Sequence, residues 1–349
     1  MSEEKGERGG ETQFRLFPRV TISGNSSEVF CVRFSPDGKF LAAGCGDGAI
    51  RVFNVSNGKV AYNLEGGSNV ALPTTAIRFR PVTPSTRTKN VFLAANAAGA
   101  VQHWHMTSGK CLHSFEDDNN QVYCLDYNDE GTKFVTAGKD TAVRVYDEAT
   151  KTNIVTMKGG VGYSVKTTPG HSNRIFSVKY TTDENMIISG GWDNTVQIWD
   201  IRVGHAVRSI YGPHVCGDSV DLHRNEIVTG SWRPQHQLEL WDYGSGEKIA
   251  DVPWNSSQFS GVGSSCMLYA AQFSKEGQGR FIVAGGSGAN EAKVFDHMND
   301  NAVVGTVTGL TRGIFSVDFS PDNEKVAIGG GDACIRILDV AKHDRELEE

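Results

Sequence analysis

The same two-part pattern recurs seven times along the chain, and a repeat of this length constrains the fold more than any single motif does. The first half is an alternating strand that ends in an aromatic or a leucine, often with a turn after it. It reads VFCVRFSPDG (29–38), then TTAIRFRP, VYCLDYNDEG, IFSVKYTTDE, GDSVDLHRN, LYAAQFSKEG and IFSVDFSPDN (314–323). The second half is a strand of small residues, a tight turn, and a strand closed by a pair: Phe53-Asn54, Trp104-His105, Tyr146-Asp147, Trp199-Asp200, Trp241-Asp242, Phe295-Asp296 and Leu338-Asp339. Successive pairs lie 51, 42, 53, 42, 54 and 43 residues apart. Period-two alternation marks strands with a buried face, and no helical period competes over any long stretch. A small sheet of this kind cannot bury both faces alone, so the repeats must stack on one another. Seven similar sheets arranged radially close into a ring with short edges.

Composition narrows the class. The 40 glycines fit a chain that turns often, and the net charge of −7 argues against nucleic acid or an anionic membrane as partner. No apolar run reaches the length of a membrane helix, and the first residues, MSEEKGERGGE, have no apolar signal core. The expected location is intracellular and cytoplasmic, with the nucleus left open. Seven cysteines are scattered without C-x-x-C spacing; Cys31, Cys45, Cys124 and Cys334, in or beside strand-like runs, are expected to be small buried hydrophobes in a reducing compartment, with neither metal nor disulfide. The sequons at Asn25, Asn54 and Asn255 then carry no meaning.

These repeats resemble the WD-repeat family over about residues 14–340. The resemblance implies an all-β, seven-bladed β-propeller, with 1–13 a disordered tail, 14–340 one domain, and 341–349 a charged tail. The fourth repeat matches best, and there the family's buried hydrogen-bonded tetrad would be His171, Ser189, Asp193 and Trp199, a structural device. Asp47, Asp140 and Asp332 keep the turn aspartate without the histidine; the second, fifth and sixth repeats lack both, which puts the rigidity of those blades in question. The seventh pair is followed only by VAKHDRELEE, too charged for an outer strand. FRLFPRVTI (14–22) therefore supplies the missing strand and closes the ring on the last blade.

Function on such a scaffold belongs to the loops and strand ends. Four positions before the aromatic that ends each first strand stand Phe30, Thr75, Tyr123, Phe176, Asp218, Tyr269 and Phe315. In related propellers this position rings the mouth of the central channel. Five of the seven are aromatic, and Arg174, Trp192 and Trp232 are expected on the same top face. This composition fits an interface hot spot, and equally a packed plug. Long connections (159–173 and 255–266) and replaced turns (231–237 and 285–292) add to that face, whereas the loop 81–90, with Arg78, Arg80, Arg87 and Lys89, should project from the other as a solvated basic patch.

The reading is a non-catalytic scaffold that binds protein or peptide partners as a subunit of a multiprotein complex, without cofactor, metal or small-molecule substrate. No phosphate loop or nucleophile elbow is present, and His103 and His105 lack a third ligand. An alternative rests on residues 187–202, IISGGWDNTVQIWDIR, which resemble the box of substrate receptors for cullin-RING ubiquitin ligases, with Arg202 contacting the adaptor. A propeller enzyme is the least favoured alternative.

Overall fold

The computed structural model describes residues 13–342 except 65–71, 85, 87, 118–119, 162–166, 256–264 and 276. Seven four-stranded antiparallel sheets stand around one axis. The innermost strands are Val29–Phe34, Thr74–Phe79, Val122–Tyr127, Ile175–Tyr180, Val220–His223, Cys266–Phe273 and Ile314–Phe319, one for each of blades 1 to 7. Each touches the innermost strand of both neighbouring blades, and the first meets the seventh. Blades 1 to 6 run in chain order from the innermost strand to the outer one. A two-stranded ribbon, Gly160–Val161 with Thr167–Thr168, is added between blades 3 and 4. Among the described residues, two short 3-10 turns stand at Met106–Ser108 and His297–Asn299.

Blade 7 is built from both ends of the described chain. Phe14–Ile22 pairs antiparallel with Ile335–Lys342, from Phe14 opposite Lys342 to Ile22 opposite Ile335. The closure read from the sequence is therefore present. One detail differs: Ala341 and Lys342, assigned to the tail, belong to this sheet, because the completing strand starts far enough upstream to give them partners in Arg15 and Phe14. Residues 1–12 and 343–349 lie outside the described residues.

The apolar core is divided among the seam regions between blades. One cluster joins blades 7 and 1 through Ile22, Val29, Leu41, Phe53, Ala327 and Ile335, and each other neighbouring pair of blades shares its own cluster. Both faces of the inner strands thus pack on neighbouring sheets, which is why successive residues on them are buried. Hydrogen bonds between neighbouring blades reinforce these seams. Asp126 accepts from the Tyr180 backbone N–H at 2.9 Å, Asp221 from that of Phe273 at 2.9 Å, and Asp318 from that of Phe34 at 2.7 Å.

The turns on the top face are fastened in four ways. In blade 4, His171 Nδ1 lies 2.9 Å from Asp193, His171 Nε2 lies 2.7 Å from the Ser189 hydroxyl, and the Trp199 indole donates to that hydroxyl at 2.8 Å. All four side chains are joined, and Trp199 is fully buried. In blades 1, 3 and 7 the turn aspartate has no histidine but finds an arginine four residues on: Arg51 with Asp47 (2.7 Å), Arg144 with Asp140 (2.5 Å) and Arg336 with Asp332 (2.7 Å). In these three blades the pair ties the turn to the strand that follows it. Blade 5 reverses the charges, with Arg233 in the turn and Glu239 in the strand at 2.6 Å. In blade 2, Asn96 caps its turn by accepting from the N–H groups of Ala98 and Ala100.

Candidate functional site

The central channel is open at both ends and blocked between. At the top, all seven residues counted from the sequence border one cavity of about 420 Å³: Phe30, Thr75, Tyr123, Phe176, Asp218, Tyr269 and Phe315. A local backbone device puts them there. In six blades the pairing of the innermost strand with the second skips one residue, and the skipped residue is Phe30, Thr75, Tyr123, Phe176, Tyr269 or Phe315. Such a bulge turns the extra side chain out of the ladder direction. These residues are half-buried while both chain neighbours on the strand are buried.

The aromatics form two arcs. On blades 3 and 4, Tyr123 and Phe176 stack at 4.6 Å with an 8° interplanar angle, and Phe176 meets Trp192 at 5.1 Å. The Arg174 guanidinium lies 5.1 Å from the Trp192 ring centre, and the indole N–H of Trp192 reaches the Cys216 sulfur at 2.9 Å. On blades 6, 7 and 1, Phe30 stacks on Phe315 at 5.5 Å, Phe315 meets Tyr269 edge-on at 5.5 Å, and Trp232 lies 6.3 Å from Tyr269. Trp192 and Trp232 remain 37% and 38% exposed. All eight residues expected on the top face are thus assembled around one mouth. The arcs are interrupted at blade 2, where the Thr75 hydroxyl bonds down to the Val122 carbonyl at 2.6 Å, and at blade 5, where Asp218 turns inward.

Asp218 forms the floor. Its carboxylate pairs with Arg33 and, at 2.7 Å, with Arg78, and it accepts from Ser177 at 3.3 Å. Arg78 also reaches Asp126 at 3.3 Å. Burial, together with the neighbouring Arg78, pulls the Arg33 pKa down to about 10, still far above neutrality, so the Arg33 guanidinium stays charged. Below this barrier a second cavity of about 490 Å³ opens at the bottom, bordered by Lys179, Asp221, Lys275, Asp318 and others. Lys179 pairs with Asp221 at 3.3 Å, and Lys275 with Asp318 at 2.9 Å.

Two sequence expectations about charge need correction. Arg78 is not part of a solvated basic loop: it is buried in the channel. Arg80 is half-buried, donating to the Thr88 carbonyl at 2.6 Å and facing Glu148 at 3.4 Å. Arg87 lies outside the described residues. The arginines that shape the channel, Arg33 and Arg78, were missed as site residues. The signal was available, since the position three after each mouth residue reads Arg33, Arg78, Asp126, Lys179, Asp221, Gln272 and Asp318, polar in every repeat.

Arg202 sits at the opposite end of blade 4 from Trp192. Its side chain is 62% exposed, yet it closes a two-point pair with Asp200 (3.0 and 2.7 Å), which holds that carboxyl down at about 2. Among the described residues, one cluster has metal-like spacing, His236, Glu239 and Asp251. Lys248 already bonds both carboxylates, and Arg233 bonds Glu239, so cations of the chain fill that place. His103 faces Glu148 at 3.0 Å rather than His105. Cys31, Cys45, Cys124 and Cys266 are buried free thiols; Cys334, expected to be buried, is half-buried.

Seven closed sheets, the Trp-Asp-type pairs and the blade 4 tetrad define a WD-repeat β-propeller. The WD domain, G-beta repeat model matches residues 17–54, 109–147, 162–200 and 301–339. The chain is 23% identical to the U3 small nucleolar RNA-associated protein 21 homolog of Schizosaccharomyces pombe, over 63% of this chain and 22% of that protein. It is 27% identical to the Cilia- and flagella-associated protein 52 of Chlamydomonas reinhardtii, over 63% and 33%. With the Cell division cycle 20.1, cofactor of APC complex, of Arabidopsis thaliana, identity is 19% over 72% and 51%. The aligned segment thus spans between about a fifth and a half of each of these proteins. No helix among the described residues is long and apolar enough to cross a membrane.

Proposed function

We propose that this propeller is a non-catalytic scaffold that binds protein or peptide partners over its top mouth and the adjoining loops, as a subunit of a larger complex. The observation that carries the reading is the mouth itself. Six bulges turn one residue each toward the rim, and five of those residues are aromatic and half-buried. Rings of this kind, with an arginine beside them, contribute most of the energy in protein interfaces. A channel blocked by Arg33, Asp218 and Arg78 suits a seat better than a conduit. Relatives named for a cofactor of the APC complex and for U3 small nucleolar RNA association add support for a place in an assembly.

The test is affinity capture with the wild-type chain and with a Phe176→Ala, Trp192→Ala double variant, identifying bound proteins by mass spectrometry. Specific partners should disappear from the variant while its circular dichroism stays native. Full retention of those partners would defeat the proposal.

A further inference from the structure

The charges around the mouth are not evenly spent. Most carboxylates of the top face are consumed within the chain: Asp47, Asp140 and Asp332 by arginines, Asp193 by His171, and Glu239 by Arg233. Four other charged residues stand within three positions of a mouth residue or directly after a second strand: Glu28, Lys139, Arg174 and Arg312. None of the four has an ion-pair partner among the described residues, so three cations and one carboxylate remain for a visitor. Two of the cations belong to the adjacent blades 3 and 4. The Lys139 backbone N–H bonds the Gln121 carbonyl at 3.0 Å, beside Tyr123, whose hydroxyl donates to the Gln121 side chain. Arg174 stands over Trp192 and receives the Trp192 backbone N–H on its carbonyl at 3.0 Å. Arg174 thus stands beside the stacked Tyr123–Phe176 pair through Trp192, and exposed Lys139 directly follows the second strand of blade 3, with its backbone tied to Gln121.

The interruptions at blades 2 and 5 lie on either side of these two blades. An extended chain entering over Thr75 and leaving over Gly217 would cross the cup without climbing an aromatic ring. It would run along blades 3 and 4. The cup has room for one bulky side chain with its backbone.

We infer that the segment seated in this mouth is an acidic peptide: one large apolar residue fills the cup, and neighbouring aspartates or glutamates meet Lys139 and Arg174. The inference rests on the mouth being the partner site and adds the chemistry of the partner. Carboxylates on cations held beside aromatic rings give specificity and orientation as well as affinity. The chain as a whole carries −7, so this face is a local exception to a field that would otherwise repel such a partner.

The experiment is selection of random twelve-residue displayed peptides on the full chain. The enriched sequence is then titrated by fluorescence anisotropy against wild type, Arg174→Glu, Lys139→Glu, and the Phe176→Ala, Trp192→Ala variant. Enriched peptides should hold one bulky apolar residue with at least two acids close by. Each charge reversal should weaken binding at least about threefold, and a peptide with lysines in place of the acids should regain affinity on Arg174→Glu. Binders that need Phe176 and Trp192 but are basic, or are indifferent to Arg174→Glu, overturn the acidic assignment alone. Binders indifferent to the aromatic variant, or no enrichment above denatured chain, overturn the mouth as partner site as well.

Discussion

At its top the channel is bordered by half-buried aromatics in two arcs; three residues further along the same seven strands, the side chains are charged or amide-bearing. The lower ring is fully engaged. Asp126, Asp221 and Asp318 each take a backbone N–H from the next blade and a cation besides, and Arg33 and Arg78 share Asp218. The upper ring has few such obligations: its rings touch one another and face outward. The difference teaches where the strand spends its side chains. Polar groups deep in the channel are costly unless satisfied, so they must fasten blades together. Aromatics at the rim need no partners of that kind and are free to receive one.

That contrast can be broken at several points. Deleting residues 1–22 removes the strand paired with Ile335–Lys342 and should spoil both ends at once, lowering the thermal midpoint by at least about 10 °C in scanning calorimetry. A shift of only a degree or two would mean that blade 7 closes without it. Asp218→Ala leaves two buried guanidiniums without their shared carboxylate and should cost about 3–5 kcal/mol in urea unfolding. A cost below about 1 kcal/mol would show that water in the channel solvates them.

Acid separates the halves further, through a buried group on the lower side of blades 2 and 3. Burial presses the pKa of His103 below its ordinary value, with Glu148 pulling it partly back. The unfolded chain therefore takes up that proton first, and the stability from neutral His103 is complete above about pH 6.5 and declines as pH falls from there. Burial pushes Glu148 up, but His103 and Lys151 prevail and hold it low, so its contribution survives until pH drops below the usual carboxylate range. Stability should fall between about pH 6.5 and 5 in wild type and stay flatter in His103→Gln, read from urea midpoints at each pH. The smallest effect belongs to the rim. Phe315→Ala or Tyr269→Ala should cost no more than about 1–2 kcal/mol, less than the usual loss for a fully buried aromatic. A larger loss would make the arcs a packed plug.

The ring, its strand closure and the mouth positions could be read from spacing, because each repeats seven times and the chain must bury both faces of every sheet. The aim of those residues could not. Phe30 and its counterparts share parity with buried positions, and only the bulge, a backbone irregularity without a fixed residue signature, turns them to the rim. Asp218 was counted correctly but sits in the floor, since an aspartate in place of an aromatic finds Arg33 and Arg78 within reach. Arg78 was grouped with a loop because it follows close before one in sequence; strand direction carries it inward. The arginine four residues after Asp47, Asp140 and Asp332 was visible in DGAIR, DTAVR and DACIR, and it pairs with the turn aspartate in each of those three blades.

Because Phe14–Ile22 waits for Ile335–Lys342, that strand stays without its partner until the whole ring between the two has been made. At about 10 residues per second that is on the order of half a minute, during which an unpaired strand is free to seek other chains. Joining position 342 to 14 by a short linker and cutting between two other blades would give a circular permutant in which blade 7 is sewn up in synthesis order and the vulnerable seam moves elsewhere.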